Sequence, residues 1–294
     1  MPYGLSDFIA TKTRRHEVIV SGFKFQVSRV TFTYALCLIF SSCLRAFVAV
    51  DYGVCKVSDI LVKARGLTKS YQVGDTILDV LCGVDLDIVQ GEIIAIVGES
   101  GAGKSTLLHI LGMLDRPTSG SFSLNGEDIT GKDEVALAGY RNRLVGFVFQ
   151  FHHLLPEFSA LENVMMPSII AGKPRTESTV RAKYLLDTVG LSERREHRPG
   201  ELSGGELQRV AVARALMNEP TIVFADEPSG NLDHRNSVML HDLMWNLARD
   251  NNYTFIIVTH DLALAERADR VLHLNEGTVR ELDTKTISEL FHSL

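Results

Sequence analysis

Apolar residues in this chain come in two rhythms. Short unbroken runs stand at Ile93-Ile94-Ala95-Ile96-Val97, Val145-Gly146-Phe147-Val148-Phe149, Thr221-Ile222-Val223-Phe224-Ala225 and Thr254-Phe255-Ile256-Ile257-Val258. Runs of this length without polar alternation predict strands buried on both faces, as in a parallel sheet. Ile60-Leu61-Val62-Lys63-Ala64-Arg65 and Val84-Asp85-Leu86-Asp87-Ile88 alternate instead, which predicts strands exposed on one face. Asn125-Gly126 marks a hairpin after Ser121-Phe122-Ser123-Leu124, and Asn275-Glu276-Gly277 marks a closing one between 270–274 and 278–282. Residues from about 157 to 216 read as helices. Ser159 and Glu162 form a capping box, and helix 176–189 carries Val180, Leu185, Leu186 and Val189 before a stop at Gly190. A further helix, about 235–249, has Val238, Leu240, Leu243, Met244 and Leu247 as its inner stripe.

Between the first apolar run and Leu107-Leu108-His109-Ile110-Leu111 lies Gly98-Glu99-Ser100-Gly101-Ala102-Gly103-Lys104-Ser105-Thr106. Strand, glycine-rich loop and helix, with G-x-x-x-x-G-K-[ST], make a phosphate-binding loop. The glycines let backbone N–H groups curl round an anion at the positive end of a helix dipole. Lys104 would reach the β- and γ-phosphates, Ser105 would bind Mg²⁺, and Thr106 would reach the α-phosphate.

Composition narrows the partners. In 294 residues, 30 are basic and 36 acidic, a net charge of −6 with no basic surplus for nucleic acid. Hydrophobic residues make up 45%, enough for a core. Cys37, Cys43, Cys55 and Cys82 show no zinc spacing and read as free thiols of a reducing compartment. There are no internal repeats, and nothing after residue 57 is long and apolar enough to span a membrane.

Residues 1–57 differ from the rest. Lys12, Arg14, Arg15, Lys24 and Arg29 precede an uncharged run from 30 to 44 that Arg45 interrupts. Three readings stay open: a weak membrane-anchor segment short of the ~20 residues a span needs, an ordinary extension, or a mis-assigned start with translation beginning near Val54 or Val57. No methionine lies between Met1 and Met113. An intact mass of the natively expressed protein at full length would rule out the third. The remaining domain, 58–290, holds the motifs.

Asp226-Glu227 closes the third apolar run, where an Asp holds Mg²⁺ through water and a Glu polarises an attacking water. Leu202-Ser203-Gly204-Gly205-Glu206 opens a helix with a capping box, and a capped glycine-exposed helix start is itself a phosphate site. The loop at Lys104 already takes one nucleotide's phosphates, so this second site reads as a contribution in trans.

With these motifs the chain resembles the ATP-binding cassette (ABC) ATPase family from residue 60 to about 285. The resemblance implies a P-loop α/β fold: a RecA-like parallel-sheet core, an N-terminal antiparallel β subdomain, and an inserted helical subdomain at about 151–216. It implies ATP and Mg²⁺ as ligands and ATP hydrolysis coupled to transport. Tyr71 matches the aromatic residue that stacks on adenine, residues 98–105 the Walker A loop, Gln150 the Q-loop glutamine that joins Ser105 and Asp226 at Mg²⁺, and Ser203, Gly204 and Gly205 the signature. Asp226 matches Walker B, Glu227 the catalytic carboxylate, His260 the switch histidine and Asp233 the D-loop residue that couples the dimer. Lys104, Glu227 and His260 are the implied catalytic set. The implied assembly is a homodimer with two ATP molecules clamped between one subunit's Walker A and the other's signature.

Residues 151–167, with His197-Arg198-Pro199-Gly200-Glu201, resemble the cassettes of lipoprotein-releasing systems of Gram-negative bacteria. That implies integral membrane subunits of the LolC/LolE type, lipoprotein cargo touched only indirectly, and a peripheral place on the cytoplasmic face of the inner membrane. FtsE-like cell-division and MacB-like export cassettes are the alternatives. A DNA-handling ABC ATPase is more remote, because the interval 106–202 holds no long coiled coil or zinc insertion. The apolar, aromatic-rich 151–167 segment reads as a docking groove for a short partner helix. Adjacent His152 and His153, if on a strand, would point to opposite faces and could not both bind one metal.

Overall fold

The computed structural model describes residues 16–20, 23–27 and 60–282. The chain divides into two units, Met1–Val57 and Ser58–Leu294. In the first, β1 (His16–Val20) pairs antiparallel with β2 (Phe23–Val27). The apolar run 30–44 and three of the four cysteines lie outside the described residues.

The second unit is built on a six-stranded sheet. Its strands are β5 (Ile93–Val97), β8 (Val145–Phe149), β9 (Ile222–Asp226), β10 (Thr254–Val258), β11 (Arg270–Asn275) and β12 (Thr278–Leu282), in the order β12-β11-β5-β10-β9-β8. All pair in parallel except β11 with β12, which form the expected hairpin. Alternation explains the unbroken apolar runs. Ile94, Ile96, Ile222, Phe224, Ile256 and Val258 face one core cluster, while Ile93, Val223, Ala225, Phe255 and Ile257 face another. Burying each such side chain stabilises the fold by about 1.5–3 kcal/mol.

The first cluster is roofed by a four-stranded antiparallel sheet, order β4-β3-β6-β7, and by α1 (Lys104–Leu111), which buries Leu107, Leu108, Ile110 and Leu111. Strands β3 (Ile60–Val73) and β4 (Thr76–Val89) run well past the segments that alternation marks. Register shifts along the pair break the period of two, so the pattern stops short of the true ends. β6 (Ser119–Leu124) turns at Asn125-Gly126 into β7 (Glu127–Asp128), as expected.

α2 (Glu134–Leu144) leads into β8 at the edge of the parallel sheet. The second cluster is covered by α6 (His234–Asn251) and by the helical subdomain: α3 (Ala160–Ile170), α4 (Arg175–Thr188) and α5 (Gly204–Ala215). Ser159 and Ser203 close reciprocal capping boxes with Glu162 and Glu206. Val238, expected on the inner stripe, is 42% exposed, and Val180, an apolar position of the preceding helical segment, is 72% exposed. Ala182 takes the inner place in α4, and His241 and Trp245 join the stripe of α6. Among the described residues, no helix is long and apolar enough to cross a membrane.

Candidate nucleotide site

Strands β5, β10 and β9 end at one edge of the sheet, because Val258 is in register with both Ile96 and Asp226. Whatever follows them emerges together, at the carboxyl edge where parallel sheets bind ligands. Thr259 N–H donates to Ile96 O at 3.1 Å and Glu227 N–H to Val258 O at 2.9 Å, which fastens the three exits to one another.

The loop after β5 is closed by its own lysine. Lys104 Nζ donates to Gly98 O and Glu99 O, each at 2.8 Å. Gly103 precedes α1 at φ 99°, a left-handed conformation that a side chain would strain. Burial pulls the Lys104 pKa below the ordinary lysine value, and the carboxylates of Glu227 and Asp226 act against that pull. The ammonium is thus held by loop carbonyls and feels the charge of both acids.

Glu227 holds φ 46°, unusual for a residue with a side chain. Its Oε2 lies 2.9 Å from His260 Nδ1, with Glu227 19% and His260 73% exposed. Gln150 is drawn to the same edge from β8: its Nε2 donates to Asn231 Oδ1 at 3.4 Å, and Asn231 Nδ2 donates to Gln150 O at 3.1 Å. Asp233 caps α6 by accepting from Asn236 N at 2.9 Å and Nδ2 at 2.7 Å, bonds that hold its carboxyl below the usual range. Ser229, between Glu227 and Asp233, is held 2.8 Å from Nε2 of His241, which is buried in α6. Spacing points to neither Asn231 nor His241 as a positioning group; only the folded contacts do.

Tyr71 projects from β3 and is 37% exposed. Burial and a hydrogen bond to Asp115 raise its pKa, while the Thr106 hydroxyl lowers it, so the phenol stands beside the first turn of α1.

The signature residues stand elsewhere. Gly204 packs near Leu232 and Gly205 against Asn236, both at the start of α6. Ser203 is engaged by Glu206, with N–H to Oε2 at 2.8 Å and Oγ to Oε2 at 2.7 Å. Among the described residues no hydrogen bond links 203–205 to the loop 98–106. The structure thus gathers Lys104, Asp226, Glu227, His260 and Gln150 at one edge, with Tyr71 beside α1; among the described residues no hydrogen bond joins Ser203, Gly204 or Gly205 to any of them.

His152 and His153 lie past the end of β8, in a loop rather than on a strand. Their carbonyls accept from the Arg214 guanidinium, at 2.7 Å each, and the His153 ring packs edge-on against Phe149. Among the described residues no group of three or more His, Cys, Asp or Glu is placed to hold a metal. Beside them a cleft of about 230 Å³ opens between the β8 edge and the helical subdomain, walled by Phe147, Phe149, Pro167 and Arg214. Phe151 (64% exposed), Leu155 and Phe158 remain open to solvent.

A family model described as "ABC transporter" matches residues 81–230. The chain belongs to the ABC transporter family. This ABC ATPase, whose hydrolysis of ATP is coupled to transport, is 52% identical over 219 residues to the lipoprotein-releasing system ATP-binding protein LolD of Bacteroides fragilis, covering 74% of this chain and 100% of the relative. It is 54% identical over 218 residues to LolD of Porphyromonas gingivalis, covering 74% and 98%. Among solved structures, it is similar to the dimeric post-hydrolysis structure of the ATP-binding cassette MJ0796 bound to ADP and Pi. The TM-score is 0.70 at 39% identity, covering 76% of this chain and 98% of that one. A second dimeric structure of that cassette gives a TM-score of 0.71 at 38% identity. The fold is the cassette fold anticipated above.

Proposed function

We propose that this ABC ATPase powers release of lipoproteins from the inner membrane of a bacterium toward its outer membrane. It would act as one of two identical cassettes beneath integral membrane subunits of the LolC/LolE type, peripheral on the cytoplasmic face. The observation that carries this reading is 52% identity across the entire length of a LolD relative. The cleft walled by Phe147, Phe149, Pro167 and Arg214 is where a short helix of a membrane subunit would dock; Phe151, Leu155 and Phe158, in the segment that follows β8, are exposed apolar side chains.

The residues at the sheet edge fit MgATP. Lys104 is the cation in a cradle that faces two carboxylates, and Ser105, Gln150 and Asp226 offer hard oxygens. Those three would hold magnesium, Asp226 through water; bound there, the ion draws charge off the phosphoryl oxygens. Asn231 engages Nε2 of Gln150 and leaves Oε1 as its ligating atom. The N–H groups of 98–106 and the Lys104 ammonium bind the phosphates, and Tyr71 stacks on adenine. Glu227 orients or deprotonates the attacking water, and its strained backbone fixes the carboxylate's direction. His260 aims that carboxylate through its 2.9 Å contact and, on closure, contacts the γ-phosphate. Ser203 and Gly205 would complete the site on the other subunit, with Asp233 coupling the two. Catalysis here is positioning and electrostatics.

Two measurements test the proposal. Glu227→Gln should lower turnover about 10²–10⁴-fold and accumulate an ATP-bound closed dimer; unimpaired turnover would overturn the assignment. Purification from native membranes should recover LolC/LolE-type subunits; recovery of an FtsX-like subunit or of DNA would refute the lipoprotein reading.

A further inference from the structure

Tyr71 belongs to the antiparallel sheet and the phosphate loop to the parallel one. A nucleotide touching both needs two separately formed sheets held at one spacing. Backbone and arginine bonds such as Cys82 N–H to Gly277 O and Arg270 to Asp87 O hold the sheets together, and one carboxylate ties the Tyr71 ring itself to the loop's helix. Asp115 lies just past the turn that ends α1 at Leu111, and its N–H and that of Leu114 both donate to His109 O, at 3.2 and 2.8 Å, so it is fastened to the helix that the loop launches. Its Oδ2 accepts from the Tyr71 hydroxyl at 2.8 Å. Its Oδ1 accepts from Lys69 Nζ at 2.8 Å and from Arg116 N–H at 2.7 Å. Lys69 in turn places its ammonium 4.8 Å from the centroid of the Tyr71 ring, covering one face.

We infer that Asp115 is a positioning residue for the nucleotide base: it ties the Tyr71 ring to the phosphate-loop helix and leaves one ring face open for stacking. The ring is held at both ends, by β3 at its Cα, where Tyr71 is in register with Leu78, and by Asp115 at its hydroxyl. Such a ring meets the base with its rotamer already chosen, so binding need not order it. The electrostatics agree. Burial pushes the Asp115 pKa up, yet the bonds from Lys69, Tyr71 and Arg116 together hold it below the ordinary carboxylate value. Asp115 is therefore a charged acceptor, the stronger kind of tether.

This inference rests on the reading of Tyr71 as the adenine platform, and the test separates the two. The full chain and its Tyr71→Phe, Asp115→Asn and Tyr71→Ala variants are titrated by calorimetry with MgATP and with magnesium tripolyphosphate, which lacks a base. Tyr71→Phe keeps the stacking ring and removes only the tethered hydroxyl. It should weaken MgATP about three- to tenfold and leave tripolyphosphate unchanged. Asp115→Asn should do the same, and the double variant should be no worse than either single one. Wild-type MgATP affinity in Tyr71→Phe would overturn the tether, as would equal weakening of tripolyphosphate by Asp115→Asn. Should Asp115→Asn fail to fold, Tyr71→Phe decides alone. Wild-type MgATP affinity in Tyr71→Ala would overturn the adenine reading itself.

Discussion

Among the described residues α1 is capped by Gly103 and α5 opens on Gly204, and the two beginnings are built differently. At α1 the cradle is closed on itself: Lys104 fastens the carbonyls of Gly98 and Glu99, and the charges of Asp226 and Glu227, at the end of β9 and just past it, act on the lysine. At α5 the start is braced from behind, by Ser203, Glu206 and a salt bridge from Arg194 to Glu206 at 3.1 Å, while Gly204 stays exposed. Beside the first stand Tyr71 and Glu227, the proposed base platform and water-activating carboxylate. A braced and open helix start is what a half-site needs if it is to close on a nucleotide held by another subunit.

The comparison can be broken most sharply at Lys104. Lys104→Ala removes the charge-assisted donor of the cradle and should weaken MgATP by about one to two orders of magnitude, as read by calorimetry. Next comes Gly204→Asp. A Cβ there meets only Leu232 Cδ2 at 3.6 Å, an ordinary contact, and an acid in the first turn of a helix is favourable. The variant should melt no lower than the parent. Its carboxylate would oppose a second subunit's phosphates, so turnover should fall about tenfold or more while the isolated subunit still binds MgATP. A drop in melting temperature with turnover unchanged would place the helix start outside the reaction.

The smallest effect belongs to His241, whose side chain holds Ser229 just past Glu227. Burial lowers its pKa below 6.5, helped by Arg267 and opposed by Asp261 and Asp242. A base with a lowered pKa in the fold takes up its proton more readily when unfolded. Its contribution to stability is therefore present above 6.5 and is lost as the pH falls through 6.5 toward the folded value. The denaturant midpoint should fall from neutral pH downward more steeply in the parent than in His241→Gln.

What could be read from the chain alone follows the range of the interactions involved. The loop 98–106, the two capping boxes and the hairpins at Asn125-Gly126 and Asn275-Glu276-Gly277 are set by neighbours a few residues apart, so spacing reveals them. The buried strands are legible because parallel sheets covered on both faces tolerate no polar alternation. Val180 and Val238 misled, since helical spacing shows which residues share a face and not whether anything covers it. The contacts of Tyr71 with Asp115, Gln150 with Asn231, and Ser229 with His241 span 44, 81 and 12 positions. No local pattern encodes such pairs; they exist once the sheets are assembled.

Completion of the nucleotide site across two subunits is tested directly by mixing two variants. Lys104→Ala spoils the cradle and spares the signature, whereas Gly204→Asp spoils the signature and spares the cradle. In a mixed dimer one site would join two intact halves, and the other two damaged ones. With random pairing, roughly a quarter of all sites should then be whole, and ATP trapping in the mixture should recover to about that fraction of the parent. If the mixture traps no more ATP than the two variants do separately, the cradle and the signature do not meet across subunits, and the account fails.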